Sequence, residues 1–293
     1  MSFADRLNAA VQRTGTPAVV GLDPRPDHFP GQWNTSPKDG PLACAEAAIG
    51  YHREFLDLLA GVVPMVKPQA AFFEQWGVEG YRAMATACQD AKDRGLLVLM
   101  DAKRGDIGST ASAYAEGYLG EGGFPKCDAL TVNPYLGLDA CEPFLAAADQ
   151  NDAGLYFLVK TSNPGAGLFQ DHGTPPLAER VAEEVARWGA PRNGEAGWSS
   201  VGAVVGATRP EELSRFRELM PNTPFLLPGF GFQGGTAEGL GCVFDQHGLG
   251  AVVNSSRGIL WAHEREDLQH LPKWQDRVRA ALQEMVDELH AVR

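Results

Sequence analysis

Cysteine is scarce in this sequence and forms no recognisable pattern. The chain has five cysteines in 293 residues, with no C-x-x-C pair and no histidine at zinc-finger spacing. Such a set predicts neither a disulfide framework nor a structural zinc site. We therefore expect reduced thiols and a cytoplasmic location.

Long apolar runs are also missing. No stretch approaches the ~18 consecutive apolar residues that indicate a membrane span. Residues 1–15 lack the basic flank and the apolar stretch of a secretory signal, and their interspersed acids and bases predict a short amphipathic helix. We expect no membrane partner.

Basic residues are too few and too scattered to form a general nucleic-acid surface. The 25 Lys and Arg residues stand against 37 Asp and Glu residues, which gives a formal net charge of -12, and no block of consecutive basic residues occurs. Non-specific nucleic-acid binding depends on clustered positive charge, so we expect no nucleic-acid partner. A small anionic ligand would need a local positive site.

Short apolar runs, by contrast, recur along the whole chain. Each is rich in Val, Leu or Ala, ends at Gly, Pro or a polar residue, and is followed by a longer helical pattern. The predicted strands are 18–23, 63–69, 96–103, 129–134, 155–162, 201–208, 225–230 and 251–256. Alternation of apolar strands and helices indicates a parallel sheet that is covered on both faces.

Eight such units favour a closed barrel over an open doubly wound sheet. We predict an α/β fold, a single (β/α)8 TIM-barrel domain over residues 1–293, with an extra N-terminal helix and long loops after strands 1 and 5. Chains of this length are routine for such barrels. Because barrel active sites lie at the carboxyl ends of the strands, polar residues there are the candidates for chemistry.

The third strand, in the segment "LLVLMDAKRGDIGST", ends in charged residues. Asp101 and Lys103 are two residues apart, so both side chains point to one face of the strand, inward, while Ala102 faces the helices. An exposed ion pair at a fraying strand end is the alternative interpretation. Asp106 follows the turn and would otherwise serve as a helix-capping acid.

Two further strands end in charge. Lys67 closes the second strand and Asp23 the first. Taken singly, Lys67 could extend its ammonium past the rim to water, and Asp23 could form a turn before Pro24. Taken together, the four residues at strand ends predict one polar cluster of alternating sign.

The last two units predict a phosphate subsite. The segment "PGFGFQGG", which begins at Pro228, is a Gly-rich turn in which Gln233 offers a side-chain amide. "NSSRGI" follows the eighth strand and offers Arg257, whose planar guanidinium suits phosphate oxygens. Loops after strands 7 and 8 are a frequent phosphate site of such barrels.

Seven segments in order along the chain resemble one known family, orotidine 5'-phosphate decarboxylase in its longer bacterial type. "DAKRGDIGST" fits the family pattern D-x-K-x-x-D-I-x-x-T, and it is the most specific match. The other six are "GLDPRP", "VKPQAAFFEQ", "TVNPYLG", "KTSNPGA", "PGFGFQGG" and "NSSRGI". The resemblance implies decarboxylation of orotidine 5'-phosphate to uridine 5'-phosphate in de novo pyrimidine synthesis, without metal or organic cofactor.

The resemblance also implies residue roles. Lys103 would protonate the ring carbon that loses carbon dioxide, beside Asp101 and Lys67. The protein would be a homodimer in which Asp106 enters the neighbouring active site. The implied substrate-binding residues are Asp23, Ile107, Thr110, Ser162, Pro228, Gln233 and Arg257. Asp23 would hold ribose hydroxyls, Ser162 the pyrimidine, and Gln233 with Arg257 the 5'-phosphate.

Three other functions compete with this interpretation. A related barrel lyase would use a magnesium-stabilised enediolate, but it usually carries a metal-binding carboxylate where this chain has Lys67. A Schiff-base aldolase would use Lys103 or Lys160 as a neutral amine, which two carboxylates beside Lys103 disfavour. A catalytically silent barrel would bind a phosphorylated ligand for regulation.

Overall fold

The computed structural model describes residues 1–206, 210–229 and 239–293 of the chain. Its centre is a closed barrel of eight parallel strands in sequence order, in which the first strand pairs with the eighth. The strands are β1 Ala18–Leu22, β2 Met65–Pro68, β3 Leu97–Arg104, β4 Ala129–Val132, β5 Gly154–Lys160, β6 Val201–Val205, β7 Phe225–Leu227 and β8 Ala251–Ser255. The predicted (β/α)8 fold is therefore confirmed.

Helices surround this barrel. Within the described residues they are α1 Phe3–Thr14, α2 Pro41–Leu59, α3 Ala70–Glu74, α4 Gly77–Asp93, α5 Gly108–Leu119, α6 Leu138–Gln150, α7 Gly167–Gln170, α8 Leu177–Gly189, α9 Pro210–Leu219, α10 Arg257–Leu260 and α11 Trp274–His290. A continuous apolar layer between the strands and these helices forms the larger core, as expected for strands buried on both faces.

A second, smaller core fills the barrel itself. Apolar side chains from the inward rows of the strands, such as Met65, Leu99 and Tyr156, meet there. Helix α1 closes the amino end of the barrel, because its buried Phe3 and Leu7 belong to the same cluster. The Phe3 ring meets the Tyr156 ring edge-on, with 6.4 Å between centroids. The N-terminal helix predicted from the sequence is therefore the floor of the barrel.

Side-chain alternation in β3 takes the barrel interior from apolar to charged. Leu97 and Leu99 belong to the inner core, and Asp101, the next residue with the same parity, lies at the carboxyl end. Ala102 packs against the outer core instead, as predicted. Because every second residue of a strand points inward, the apolar interior of the barrel leads directly to the charged site at its carboxyl end.

Two long connections follow β1 and β5, as predicted. Residues after β1 form three short 3-10 helices, at Pro26–His28, Gly31–Trp33 and Pro37–Asp39. The connection after β5 contains α7 before α8 begins. Some predicted strand ends were too long: β5 stops at Lys160 and β4 at Val132, because the following residues turn into loops.

Candidate active site

A cavity of about 460 Å³ opens at the carboxyl ends of the strands. Seven of the predicted site residues line it: Asp23, Lys67, Asp101, Lys103, Ser162, Pro228 and Arg257. The other lining residues are Gln69, Leu158, Thr161, Asn163, Val204, Leu226, Gly229, Asn254 and Ser256. Residues that are far apart in the sequence thus meet at the position where barrel enzymes carry their active sites.

Asp101 is the centre of the charged cluster and accepts two hydrogen bonds at each carboxylate oxygen. Lys103 Nζ lies 2.5 Å and Thr131 Oγ1 3.0 Å from Oδ1. Lys67 Nζ and Gln69 Nε2 each lie 3.0 Å from Oδ2. A carboxylate with four donors is fixed in orientation, so the two ammonium groups beside it are fixed as well.

Burial and charge act in opposite directions on this cluster. Burial favours the neutral form of Asp101, but Lys67 and Lys103 outweigh it and hold the pKa of the Asp101 carboxyl far below its usual range. Burial likewise opposes the charge on Lys67, yet Asp101 and Asp23 raise its pKa above the ordinary value. Lys67 and Asp101 are therefore both charged at neutral pH, although their side chains are only 5% and 10% exposed.

Lys103 differs from Lys67 in exposure and in backbone conformation. Its side chain is 44% exposed, so its ammonium faces the open part of the cavity. Its φ is 49°, in the left-handed region that residues other than glycine rarely adopt. The register between β3 and β4 shifts between Met100 and Arg104, which brackets this residue. The strand therefore leaves regular geometry where the proposed proton donor lies.

Arg104 does not belong to the cluster, because it has the parity of Ala102 and lies on the opposite face of the strand from Asp101. Its guanidinium pairs with Glu74 of α3 and donates to the Tyr118 hydroxyl of α5 at 2.9 Å. The same group lies 5.4 Å and 5.5 Å from the ring centres of Tyr114 and Tyr118. Arg104 thus joins the two helices that flank β3.

Two buried acceptors in this region are available to a ligand. Within the described ranges, Asp23 Oδ1 and Asn254 Oδ1 have no hydrogen-bond partner, and both residues line the cavity. Buried polar atoms are nearly always paired, so these oxygens are suited to accept from hydroxyl or amide donors of a bound molecule. For Asp23 this matches the predicted contact with ribose hydroxyls.

The predicted phosphate subsite is described in part. Pro228, Gly229, Ser256 and Arg257 form one side of the cavity, at the ends of β7 and β8. Gln233 lies outside the described residues. The position of Arg257 agrees with a role in binding an anion at this end of the cavity.

Asp106, Ile107 and Thr110 lie outside the cavity wall that the described residues of this chain form. Asp106 Oδ1 accepts a hydrogen bond from the Ile107 backbone N–H at 2.8 Å, and the Ile107 side chain is 61% exposed. Neither Ser109 nor Thr110 caps α5, whose N-cap is Ile107. Their position outside this wall is compatible with the predicted role in a neighbouring site.

Lys160 lies away from the catalytic cavity. It is buried, it pairs with Asp171 from the connection after β5, and it lines a separate cavity with Glu179 and Arg215. The wall of the catalytic cavity, as far as it is described, does not include it. A Schiff base at Lys160 would thus form outside the described wall of the cavity that contains Asp101 and Lys103.

Comparisons with known proteins agree on one family. Residues 18–269 match the model of the orotidine 5'-phosphate decarboxylase / HUMPS family. The chain belongs to this family. It is 46% identical to an orotidine 5'-phosphate decarboxylase of Rhodopirellula baltica, over 99% of both chains. It is 39% identical to one of Caldicellulosiruptor bescii, over 90% of this chain and 91% of that one.

Solved structures of the orotidine 5'-phosphate decarboxylase family share the whole fold. The structure of the Leishmania donovani OMP decarboxylase superposes with a TM-score of 0.77 at 32% identity. The alignment covers 100% of this chain and 98% of that chain. The family predicted from seven short segments is therefore confirmed over nearly the full length.

Sequence reasoning missed Gln69, Thr131 and Asn254, three polar residues of this orotidine 5'-phosphate decarboxylase family site. Gln69 and Thr131 bind Asp101, and Asn254 lies on the cavity wall. A signal was present for all three, because each has inward parity at a strand end: Gln69 follows Lys67 by two residues, and Thr131 and Asn254 interrupt apolar runs.

Proposed function

We propose that this protein catalyses the decarboxylation of orotidine 5'-phosphate to uridine 5'-phosphate and carbon dioxide, a step of de novo pyrimidine nucleotide synthesis. One observation carries the proposal: a buried carboxylate, Asp101, fixes the ammonium groups of Lys67 and Lys103 at the end of a nucleotide-sized cavity. These three side chains together carry two positive charges and one negative charge.

The reaction needs positive charge at one point. When the bond between the ring carbon and the carboxylate carbon breaks, the electron pair stays on the ring carbon in an orbital that does not overlap the π-system. Lys103 stabilises this carbanion through its ammonium and then transfers a proton from Nζ to the carbon. A preorganised charge costs no reorganisation during the reaction, and such electrostatics can be the largest catalytic contribution. Solvent then returns a proton to the Lys103 amine.

Asp101 has two effects on this step. Its charge holds the Lys103 side chain in place, through the hydrogen bond that Nζ donates to Oδ1 at 2.5 Å. Its charge also repels a substrate carboxylate, by roughly 4 kcal/mol for unit charges ~4 Å apart at an effective dielectric of 20. Because Lys67 and Lys103 compensate the Asp101 charge, we assign the larger effect to the stabilised carbanion.

The remaining cavity residues bind the nucleotide. Asp23 accepts from ribose hydroxyls, Ser162 contacts the pyrimidine, and Pro228 lies beside it. Arg257, together with Gln233, binds the 5'-phosphate. Binding energy from a phosphate remote from the reacting carbon aligns the ring with Lys103.

Lys67 distinguishes this reaction from that of a magnesium-dependent lyase. A cation at the end of β2, hydrogen-bonded to Asp101, opposes a divalent metal ion at the same place. Among the described residues, no group of three or more His, Cys, Asp or Glu side chains is arranged to hold a metal ion. We propose a reaction without metal or organic cofactor.

A homodimer completes the site in this proposal, with Asp106, Ile107 and Thr110 entering the partner's cavity. Supporting it, large exposed apolar side chains occur in the loops after β3, β4 and β5, which are neighbours in the barrel. They are Ile107, Tyr135, Leu136, Leu168 and Phe169. Large exposed apolar side chains on neighbouring connections favour an interface between subunits.

We propose a cytoplasmic location on the basis of the five unpatterned cysteines, and no nucleic-acid partner on the basis of the net charge of -12. We also propose no membrane partner. In the described part of the chain, no helix is both long and apolar enough to cross a bilayer.

The direct test adds purified protein to orotidine 5'-phosphate and follows the loss of its absorbance, with uridine 5'-phosphate identified as the product. Turnover that persists after dialysis against a chelator supports the proposal. Stoichiometric binding without turnover would instead favour a regulatory barrel. Turnover that chelation abolishes would favour the magnesium-dependent lyase.

A further inference from the structure

Thr131 lies within the charged cluster, although it contacts no cavity space. It is the third residue of β4, it is fully buried, and it is not part of the cavity wall that the described residues form. In an otherwise apolar strand, "ALTV", its hydroxyl has inward parity. A buried hydroxyl at that position needs partners, and both of its partners are site residues.

The Thr131 hydroxyl binds the two residues next to the reacting carbon at the same time. Its Oγ1 donates to Asp101 Oδ1 at 3.0 Å and accepts from the backbone N–H of Lys103 at 2.9 Å. A hydroxyl has one donor and two acceptor lone pairs, so both bonds can exist together. The same Asp101 oxygen also accepts from Lys103 Nζ, which closes a ring of three hydrogen bonds.

This ring supports the irregular backbone of Lys103. Left-handed φ is unfavourable for lysine, and such conformations persist where the surroundings hold them. Here the β3–β4 register is interrupted, and a side chain, not the neighbouring backbone, accepts the Lys103 N–H. Regular pairing resumes at the next residue, where Asn133 N–H donates to the Arg104 carbonyl at 2.8 Å.

We propose that Thr131 is a positioning residue for decarboxylation: its hydroxyl sets the Lys103 backbone and the Asp101 carboxylate in one geometry. The inference rests on the proposed function. It assigns to Thr131 an effect on the chemical step and not on nucleotide binding, because the hydroxyl has no access to the ligand and reaches the reaction through Lys103 and Asp101.

Two pairs of variants isolate the hydroxyl. Thr131→Val keeps the side-chain shape and removes the hydroxyl, while Thr131→Ser and Thr131→Ala differ from each other by the hydroxyl alone. In each pair we expect the form without the hydroxyl to lose kcat roughly 10- to 100-fold, the range for one hydrogen bond to a charged group. KM for orotidine 5'-phosphate and Kd for uridine 5'-phosphate should stay within about threefold.

Thr16→Val is the matched control. Thr16 is also fully buried and its Oγ1 accepts a backbone N–H, that of Ala18 at 3.3 Å, but it lies at the amino end of β1. The Thr16→Val substitution should lower the thermal midpoint of unfolding by about as much as Thr131→Val does, and it should leave kcat unchanged. A kcat of Thr131→Val within about twofold of the wild-type value, or an equal loss in Thr16→Val, overturns the inference.

The Ser and Ala forms keep the test decisive if Thr131→Val does not fold, since equal kcat values in that pair also overturn the inference. An inactive wild-type protein would overturn the proposed function and the positioning role with it. An active wild type with unaffected variants overturns the positioning role alone.

Discussion

Lys67 and Lys103 bind opposite oxygens of one carboxylate. Lys67 Nζ lies 3.0 Å from Asp101 Oδ2, and Lys103 Nζ lies 2.5 Å from Oδ1. Two like charges are thereby held close together by the charge between them, and two of the three side chains, Lys67 and Asp101, are buried. Removing Asp101 leaves two ammonium groups without their shared carboxylate, whereas removing either lysine leaves a single ion pair, so substitutions can separate the three roles.

Lys103→Ala should reduce turnover of orotidine 5'-phosphate by several orders of magnitude, because it removes both the stabilising charge and the proton donor. Uridine 5'-phosphate should still bind, as titration calorimetry can measure. Lys126→Ala, at an exposed lysine, is the control. Near-normal turnover of Lys103→Ala would eliminate the mechanism proposed here.

Asp101→Asn should destabilise the protein by roughly 3–5 kcal/mol, because it leaves two ammonium groups without their shared carboxylate. Urea unfolding at neutral pH measures the loss. Asp57→Asn removes the carboxylate of an exposed pair with Arg94 and should cost less than about 1 kcal/mol. Equal losses in the two variants would contradict the role given to Asp101.

The pH dependence of the Asp101→Asn effect follows from the lowered pKa of Asp101. A carboxyl whose folded pKa lies below its unfolded value of about 3.9 stabilises the protein fully above that value and loses the contribution as pH falls toward the folded pKa. The difference in unfolding free energy between wild type and variant should therefore be constant from about pH 5 to about pH 8 and shrink below about pH 4. A difference that already declines at about pH 6 would be inconsistent with this pKa.

Mixing two inactive variants, Asp106→Ala and Lys103→Ala, should restore activity if the site is shared between subunits. Each mixed dimer has one site with both defects and one intact site, so random exchange restores up to about one site in four. Native mass spectrometry can verify the exchange. Verified mixed dimers without activity would argue against a shared site.

Lys160→Met should retain most of kcat and raise KM, because Lys160 pairs with Asp171 in the connection that carries Ser162. Lys160→Arg, which preserves the ion pair, should restore KM. Borohydride treatment with a carbonyl ligand should leave Lys160 unmodified. Loss of kcat without a change in KM, or reductive trapping at Lys160, would support the aldolase interpretation.

The barrel could be predicted from the sequence, because its strands and helices appear there as periodic hydrophobic patterns. Apolar runs placed all eight strands, and the parity of β3 placed Asp101 inward and Ala102 outward. Strand ends were less accurate, since the last residues of β5 and β4 depend on the loops that follow. The prediction for Gln233 falls on a residue outside the described ranges.

The site was predicted where residue type reveals chemistry and missed where it does not. Lys67 and Lys103 are conspicuous at the ends of apolar strands, whereas Thr131 is an ordinary strand residue whose importance depends on its two partners. The left-handed φ of Lys103 could not be predicted from the sequence either, because the residue is neither glycine nor asparagine. Asp106 is also absent from the described wall of its own chain's cavity, so a single chain does not show its predicted role.

The barrel beneath the charges is filled with apolar side chains, since Phe3 and Leu7 of α1 close its amino end against Tyr156 and the inward apolar rows. Water reaches the ammonium groups from the mouth, the side on which a nucleotide arrives. A bound pyrimidine therefore displaces the solvent that screens Lys67 and Lys103, and the field of these groups grows with occupancy of the cavity. The bound substrate itself therefore reduces the screening of the charges that act on it.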